Sequence, residues 1–236
     1  MINASIIIPT FREADNLEHL VERIVQSMCD SGGAFEVIIV DDNSQDGTEQ
    51  VVDRLRGLGH PVRLITRRNE RGLSSAVIRG LDEAGGEFLV CMDADLSHPP
   101  EVIPALLDAL RKPDVDFVIG SRYVDGAGTD ADWGLFRHLN SRIATWLARP
   151  FTGARDPMSG FFAMRRDRYL KHDPLSPLGY KIGLELIVKC NCRNVKEVPI
   201  HFAQRRCGSS KLTLKQQWLY VCHVGRLAGY KLTHRR

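Results

Sequence analysis

Residues 87–98 read EFLVCMDADLSH, an apolar run that ends in two aspartates separated by one alanine. The run has the length and composition of a buried strand. Similar short runs, rich in β-branched residues, recur along the first half of the chain. The predicted strands are Ser5–Ile8, Glu36–Val40, Val62–Thr66, Glu87–Met92 and Phe117–Gly120. Because helical patterns lie between them, the sequence predicts an α/β protein with a mostly parallel sheet flanked by helices.

The helical patterns supply the other layer of this fold. Apolar residues from Leu17 to Met28 recur at helical spacing behind a cap at Asp15 or Asn16. The later elements are predicted at Thr48–Leu55, Leu73–Ala84, Glu101–Arg111, Trp133–Trp146 and Gly183–Lys189, then a strand at Val195–Phe202 and a last helix from Thr213. The last helix begins with a capping box of Thr213 and Gln216. We therefore expect one domain over residues 1–212 and a basic amphipathic helix over residues 213–236.

That last helix carries two apolar arcs and most of the positive charge. One arc holds Leu214, Trp218, Val221, Cys222, Gly225 and Leu232, and the other holds Leu219, Tyr220, Leu227 and Tyr230. After Glu197 the chain has eight basic residues and no acidic one, so this tail carries +8 and the preceding part, with 24 basic and 29 acidic residues, carries −5. Such a tail favours an anionic partner, either a lipid surface, a phosphorylated substrate or nucleic acid, although a solvated helix would also fit.

Several function classes are disfavoured by what the sequence lacks. The six cysteines show no C-x-x-C spacing, which favours a reduced, cytosolic compartment. No signal peptide begins the chain, and no apolar run approaches the ~18 residues of a membrane span. No nucleic-acid-reading motif is present. Neither a G-x-G-x-x-G fingerprint nor a G-x-x-x-x-G-K-[ST] loop follows a strand, so a bound diphosphate would need a metal ion.

Acidic residues follow the predicted strands at the edge where α/β sheets bind ligands. Glu13 follows the first strand, Asp42 the second, and Asp93 and Asp95 the fourth. Paired carboxylates suit Mg²⁺ or Mn²⁺. A calcium loop is excluded because His98 stands where that loop requires glycine. The alternative is that these residues only end strands, form turns and cap helices.

Seven motifs in order resemble the dolichol-phosphate (polyprenol-phosphate) mannose synthases, which are inverting family-2 glycosyltransferases of the GT-A fold. The motifs are Ile8-Pro9-Thr10-Phe11-Arg12-Glu13, Val40-Asp41-Asp42-Asn43-Ser44, Arg71-Gly72-Leu73-Ser74-Ser75-Ala76, Met92-Asp93-Ala94-Asp95-Leu96-Ser97-His98-Pro99-Pro100-Glu101, Gly120-Ser121-Arg122-Tyr123, Pro157-Met158-Ser159-Gly160-Phe161-Phe162 and Gly208-Ser209-Ser210-Lys211-Leu212. Two departures stand out. Phe11 and Arg12 replace the usual Tyr and Asn, and Ser97 replaces a Gln found in some relatives.

The resemblance implies roles for individual residues. The nucleoside pocket is implied at Pro9, Phe11, Glu13, Val40 and Asp42, and the diphosphate and metal site at Asp93, Ala94 and Asp95, with Ser97 as a third metal contact. Further contacts to the nucleotide-sugar are implied at Lys181, Arg205 and Lys211, and contacts to the acceptor phosphate at Ser121, Arg122 and Arg137. Asp95 and Arg122 are the implied catalytic residues.

The implied reaction transfers mannose from GDP-mannose to a polyprenyl (dolichyl) phosphate with inversion, aided by Mg²⁺ or Mn²⁺. A phosphate acceptor is already anionic, so no dedicated base is required. The protein would be peripheral on the cytoplasmic face of a membrane, at the bilayer surface or beside a membrane-anchoring subunit, and would not bind nucleic acid. The alternatives are another donor, such as UDP-glucose or UDP-GlcNAc, and a non-catalytic scaffold that binds sugar nucleotides.

Overall fold

A seven-stranded sheet forms the centre of the computed structural model, which describes residues 2–130, 143–179, 181–204 and 214–234. The strands are β1 Ala4–Thr10, β2 Phe35–Asp41, β3 Val62–Thr66, β4 Phe88–Cys91, β5 Phe117–Ser121, β7 Phe162–Arg165 and β8 Val195–Pro199. Their order in the sheet is β3-β2-β1-β4-β7-β5-β8. All pairings are parallel except those of β7, which runs antiparallel between β4 and β5. A second, two-stranded sheet pairs β6 (Gly128–Thr129) with β9 (His201–Phe202).

Helices cover both faces of the large sheet. They are α1 Ala14–Ser31, α2 Thr48–Gly57, α3 Leu73–Glu83, α4 Ile103–Leu110 behind a 3₁₀ turn at Pro100–Val102, α5 over residues 143–148, α6 Arg166–Tyr169, α7 Ile182–Lys189 and α8 Leu214–Thr233. Side chains alternate across β1, so Ile6 and Ile8 enter the core layer of α1, α2 and α4, and Ile7 enters that of α3 and α7. The side chains of β1 are therefore buried on both faces of the sheet, as is typical of a parallel sheet that helices cover on both sides.

The predicted α/β fold with a mostly parallel sheet is confirmed, and so are its five predicted strands to within two residues. Strand β7 was not predicted. The strand predicted at Val195–Phe202 divides at Ile200 into β8 and β9, and the helix predicted from Glu101 opens with the 3₁₀ turn. The Thr213 half of the capping box and most of the helix predicted at Trp133–Trp146 lie outside the described residues, and the boundary at residue 212 stays a prediction.

Helix α8 packs on the domain through one face. Tyr220 and Leu227 are buried on this face, and the Tyr220 hydroxyl donates to the Ala144 carbonyl at 2.8 Å. His223 lies beside the buried Glu185 of α7, with 3.8 Å between Nε2 and the carboxylate. Burial lowers the pKa of His223 below its ordinary 6.5, and Arg226 and Lys189 act in the same direction against Glu185. The arc of Tyr220, Leu227 and His223 therefore faces the protein.

Gly80 marks the closest approach of α3 to the sheet. A Cβ atom at this position would lie 2.4 Å from Ile7 Cγ2 and 3.1 Å from Val40 Cγ2. We expect Gly80→Ala to lower the free energy of unfolding by about 1–3 kcal/mol, because the core cannot expand without moving β1 or α3. Gly57→Ala is the matched control, since a Cβ there meets nothing within 4 Å. Urea unfolding measures both, and equal stabilities would contradict the assigned packing.

Candidate active site

The carboxyl ends of β1, β2, β4 and β5 meet at one edge of the large sheet. Thr10 and Asp41 are register partners, and the Asp42 N–H donates to the Thr10 carbonyl at 3.1 Å. Because β7 runs in the opposite direction, its beginning lies at this same edge, and the Gly120 N–H donates to the Phe161 carbonyl at 2.8 Å. The edge therefore combines the predicted acidic turns with the segment that precedes β7.

Asp93 is the more exposed member of the aspartate pair, with 28% of its side chain accessible. Its backbone N–H donates to His98 Nδ1 at 3.1 Å, so Nδ1 is an acceptor, and the imidazole stacks on Phe161 at 5.2 Å between ring centroids. Across from it, a Cβ on Gly160 would lie 3.3 and 3.4 Å from the two Asp93 carboxylate oxygens. A glycine at 160 thus keeps space beside this carboxylate.

Asp95 is held in place by Ser97. Its Oδ1 accepts the Ser97 N–H at 3.1 Å and the Ser97 hydroxyl at 2.5 Å. Leu96 between them has φ 62°, in the left-handed region, which turns the chain back toward the carboxylate. Ser97 is fully buried. Its observed contact orients Asp95, and its predicted role as a metal contact remains a prediction.

The aspartate pair fits a divalent cation that is shared with a substrate. In the part of the chain that the structure describes, no group of three or more His, Cys, Asp or Glu side chains could hold a metal. Mg²⁺ is commonly bound by one or two carboxylates together with phosphate oxygens and water. Asp93 and Asp95 provide hard oxygen donors of that number and kind, and Gly160 keeps room beside the first of them.

Asp42 is tied to an arginine that the sequence analysis missed. Arg67 follows β3 directly and donates from Nε at 2.7 Å and from Nη2 at 2.5 Å to Asp42 Oδ1. The Gly72 N–H donates to Asp42 Oδ2 at 2.8 Å. The only signal available in the sequence was the position of Arg67 after a strand, at the edge where ligands bind.

Phe11 and Glu13 follow β1 at the same edge. The guanidinium carbons of Arg12 and Arg71 lie 5.2 and 5.1 Å from the centroid of the Phe11 ring. Arg12 has φ 61°, and its N–H donates to the Ser44 hydroxyl at 2.8 Å. Glu13 stands at the start of α1 and accepts from the Asn16 amide at 2.7 Å. Phe11 is thus flanked by two cations.

Three predicted contact residues are buried at the strand ends. Pro9 pairs with Val40 in the sheet, and Ala94 is 4% exposed. The Val40 side chain is fully buried against α3, near Gly80. It supports the core in this structure. The predicted contacts of Val40 and Pro9 with a nucleoside, and of Ala94 with the diphosphate and metal, remain predictions.

Arg122 forms a buried ion pair with Asp156. Its Nε and Nη2 donate to the two Asp156 oxygens at 2.8 and 2.7 Å, and its backbone N–H donates at 3.0 Å. Burial opposes the charge, but the Asp156 carboxylate outweighs it and raises the pKa of Arg122. Asp156 is fully buried, and its own N–H donates to Glu197 at 2.9 Å. Neither Asp156 nor Glu197 was predicted from the sequence to be a site residue.

The remaining predicted contacts are placed only in part. Ser121 is fully buried, and its hydroxyl accepts from the Tyr123 N–H at 3.3 Å, so in this conformation it is turned to the loop and not to solvent. Lys181 donates to the Met158 carbonyl at 2.9 Å, beside the segment that precedes β7. Arg137, Arg205 and Lys211 lie outside the described residues.

Fold and sequence together define a glycosyltransferase. The profile described as Glycosyl transferase family 2 matches residues 5–172. The chain is 45% identical to a dolichol-phosphate mannosyltransferase of Mycosarcoma maydis, covering 97% of this chain and 80% of that protein. It is 43% identical to proteins of the same name from Saccharomyces cerevisiae, with 98% and 88% covered, and Pyrococcus furiosus, with 98% and 65% covered. The chain belongs to glycosyl transferase family 2.

Solved structures agree on the fold at low sequence identity. Mannosyl-3-phosphoglycerate synthase from Rubrobacter xylanophilus superposes with a TM-score of 0.72 at 18% identity, covering 100% of this chain and 76% of that one. Glucosyl-3-phosphoglycerate synthase from Mycobacterium tuberculosis, in a complex with Mn²⁺, UDP-glucose and phosphoglyceric acid, gives 0.68 at 19% identity, with 97% and 80% covered. The predicted GT-A arrangement is thus confirmed.

Removal of the charge on Asp156 should deprive the buried Arg122 of the carboxylate that binds its Nε and Nη2. We expect Asp156→Asn to lower the free energy of unfolding by about 3 kcal/mol, because a broken buried pair retains the desolvation penalty of its partner. The matched control is Asp108→Asn, whose partner Arg111 is 45% exposed. That change should cost less than about 1 kcal/mol. Urea denaturation compares the two variants, and similar losses would be inconsistent with a buried Arg122–Asp156 pair.

Proposed function

We propose that this chain transfers mannose from GDP-mannose to a polyprenyl (dolichyl) phosphate with inversion, giving polyprenyl-phosphate β-mannose. The observation that carries the proposal is identity of 43–45% over 97–98% of the chain to three proteins named dolichol-phosphate mannosyltransferase. The geometry of the sheet edge supports it independently, because it combines two carboxylates suited to a metal–diphosphate with a buried, fixed arginine.

In the proposed reaction, a phosphate oxygen of the acceptor attacks the anomeric carbon from the face opposite the nucleotide. A new carbon–oxygen bond forms, and the bond to the β-phosphate oxygen breaks with its electron pair, so GDP leaves. Asp93 and Asp95 would hold the divalent ion, Mg²⁺ or Mn²⁺, which supplies Lewis-acid stabilisation of the charge on the leaving diphosphate. The acceptor phosphate is anionic at neutral pH and needs no general base.

Arg122 is the proposed contact for the acceptor phosphate. Its bidentate bond to Asp156 fixes the plane of the guanidinium, and its raised pKa keeps it charged. A fixed cation at this edge would offset repulsion between the anionic donor and the anionic acceptor. Ser121 and Arg137 are proposed to assist it, and Lys181, Arg205 and Lys211 to contact the nucleotide-sugar. Pro9, Phe11, Glu13, Val40, Asp42 and Ala94 complete the proposed donor site.

The second candidate is the same chemistry with a uridine nucleotide, such as UDP-glucose or UDP-GlcNAc. Two observations favour keeping it. The structurally similar glucosyl-3-phosphoglycerate synthase was solved with UDP-glucose and Mn²⁺. In addition, Phe11 and Arg12 replace the Tyr and Asn of the resembled family, which changes the polar groups at the proposed nucleoside pocket.

A membrane surface is the proposed location of the acceptor. Among the described residues, no helix is long and apolar enough to span a bilayer. On α8, Trp218, Val221 and Leu232 are 68%, 46% and 69% exposed, and on α5 Trp146 is 72% exposed. A helix with exposed tryptophan and a basic sequence suits the interface of an anionic bilayer. We propose peripheral binding at the cytoplasmic face, with a membrane-anchoring subunit as the other possible occupant of this surface.

The reaction is tested with radiolabelled GDP-mannose, dolichyl phosphate and Mg²⁺ or Mn²⁺. Wild-type protein should form a labelled lipid only when metal is present, and EDTA should abolish it. Asp95→Asn should lower the rate at least about 100-fold, since a metal ion contributes several kcal/mol of transition-state stabilisation. Asp53→Asn, an exposed aspartate on α2, is the matched control and should retain full activity. A lipid product from UDP-glucose alone would select the second candidate, and none from any donor would refute both.

Membrane binding is tested by flotation with vesicles of phosphatidylcholine and phosphatidylserine. Trp218→Ser should weaken binding at least about fivefold, because burial of a large apolar side chain contributes about 1.5–3 kcal/mol. The control Leu58→Ser removes an apolar side chain that is 62% exposed at the end of α2. Equal flotation of wild type and Trp218→Ser would rule out α8 as the contact.

A further inference from the structure

Arg67 is a buried arginine whose donors are all engaged. Its side chain is 5% exposed, and it stands directly after β3. Besides the two bonds to Asp42 described above, Nη2 donates to the Gly72 carbonyl at 3.0 Å, and Nη1 donates to Ser75 Oγ at 2.9 Å and to Glu70 at 3.3 Å. The guanidinium has five N–H donors, and each has an acceptor here. A buried charge is costly unless it is paired, and these bonds pair the charge of Arg67. They also fix the carboxylate of Asp42 in one position.

The result is that Asp42 has a single remaining acceptor position. A carboxylate offers about four lone-pair sites, two on each oxygen. Oδ1 accepts both bonds from Arg67, and Oδ2 accepts the Gly72 N–H. Among the described residues no other donor contacts this carboxylate, so one site on Oδ2 is left for a ligand. The two Arg67 bonds to Oδ1 and the Gly72 bond to Oδ2 together prevent Asp42 from rotating to offer a different site.

Arg67 also fixes the loop between β3 and α3. Gly72, which ends this loop, both donates to Asp42 and accepts from Arg67, and its φ of 139° is open to glycine but strained for other residues. Arg71, the residue before it, lies over the Phe11 ring at 5.1 Å. One buried guanidinium therefore connects two residues that the proposed donor site uses, Asp42 and Phe11.

We propose that Arg67 is a positioning residue that sets nucleotide selectivity by presenting Asp42 as an acceptor for one N–H group of the donor base. The inference rests on the proposed function, in which Asp42 contacts that nucleoside. A base with two adjacent N–H donors would need one acceptor site on each oxygen, and Arg67 saturates Oδ1. Asp42 therefore reads one donor group only, and selectivity depends on where Arg67 directs the free site of Oδ2.

The test substitutes Arg67→Lys, which keeps the charge but replaces five donors in a fixed fork by a single ammonium. Binding of GDP and of UDP is measured by titration calorimetry with Mn²⁺ and without acceptor. We expect the Kd of the preferred nucleotide to rise about tenfold, and the ratio between the two nucleotides to fall by a similar factor, because Asp42 loses its fixed orientation. With saturating donor, kcat should stay within about threefold, since in the proposed reaction the reacting atoms would contact neither Arg67 nor Asp42.

The matched control is Arg63→Lys on β3, the strand that Arg67 follows. Arg63 bonds Glu36 at 2.9 Å and the Glu83 carbonyl at 2.5 Å, at the far end of β3 from Asp42. It should lower the melting temperature without changing either Kd. If Arg67→Lys does not fold, Ser75→Ala removes one partner of Nη1 and should raise the preferred Kd at least about twofold.

The outcomes separate this inference from the proposed function. Folded Arg67→Lys with wild-type Kd values and wild-type selectivity overturns the role of Arg67, whatever the activity of the wild type. If wild-type protein transfers mannose and Arg67→Lys binds both nucleotides as the wild type does, the role of Arg67 is overturned but the proposed function stands. Wild-type protein that binds neither nucleotide overturns both.

Discussion

Buried carboxylates at one sheet edge are the constraint around which the rest of this structure is arranged. Parallel pairing of β1, β2 and β4 brings acidic turns to the same edge, and unpaired anions cannot be buried there without a large desolvation cost. Each of the buried carboxylates at this edge accepts hydrogen bonds from its own donors. Asp42 has Arg67, Asp156 has Arg122, Asp95 has Ser97, and Asp41 accepts from the N–H and hydroxyl of Ser44.

Asp93 is the exception to this pattern, and this supports its proposed role as a metal ligand. It is 28% exposed, and among the described residues none donates a hydrogen bond to its carboxylate. Its backbone is fixed by His98, and Gly160 adds no side chain beside it. A carboxylate that the protein holds in place but does not hydrogen-bond keeps its lone pairs for a cation. The neighbouring Asp95 is already oriented by Ser97, so binding would not have to order it.

Sequence patterns predicted the parts of the molecule that depend on local period, and not the contacts between distant side chains. The five parallel strands and the helices between them follow from apolar periodicity. The cap predicted at Asp15 or Asn16 was wrong, because α1 begins at Ala14 with Glu13 as its N-cap, so both residues lie inside its first turn. Strand β7 was not predicted because its four residues carry no period that distinguishes a strand from a loop. Its antiparallel direction depends on β4 and β5, which are far away in the chain. Arg67 and Asp156 were not predicted as site residues for a related reason. Their partners are 25 and 34 residues distant, so only the folded sheet brings them together.

The same limit applied to the last helix. The sequence showed two apolar arcs on it but could not show which of them packs on the domain. A helix turns about 100° per residue, so Tyr220, His223 and Leu227 lie opposite Trp218, Val221 and Leu232. Tyr220, His223 and Leu227 pack on the domain. The Tyr220 hydroxyl donates to the Ala144 carbonyl, and His223, whose pKa is lowered by burial, lies beside the buried Glu185. Glu185 is meanwhile compensated by Lys189 at 2.8 Å. With one arc fixed by polar contacts that allow no rotation of the helix, the tryptophan arc has to face away from the domain.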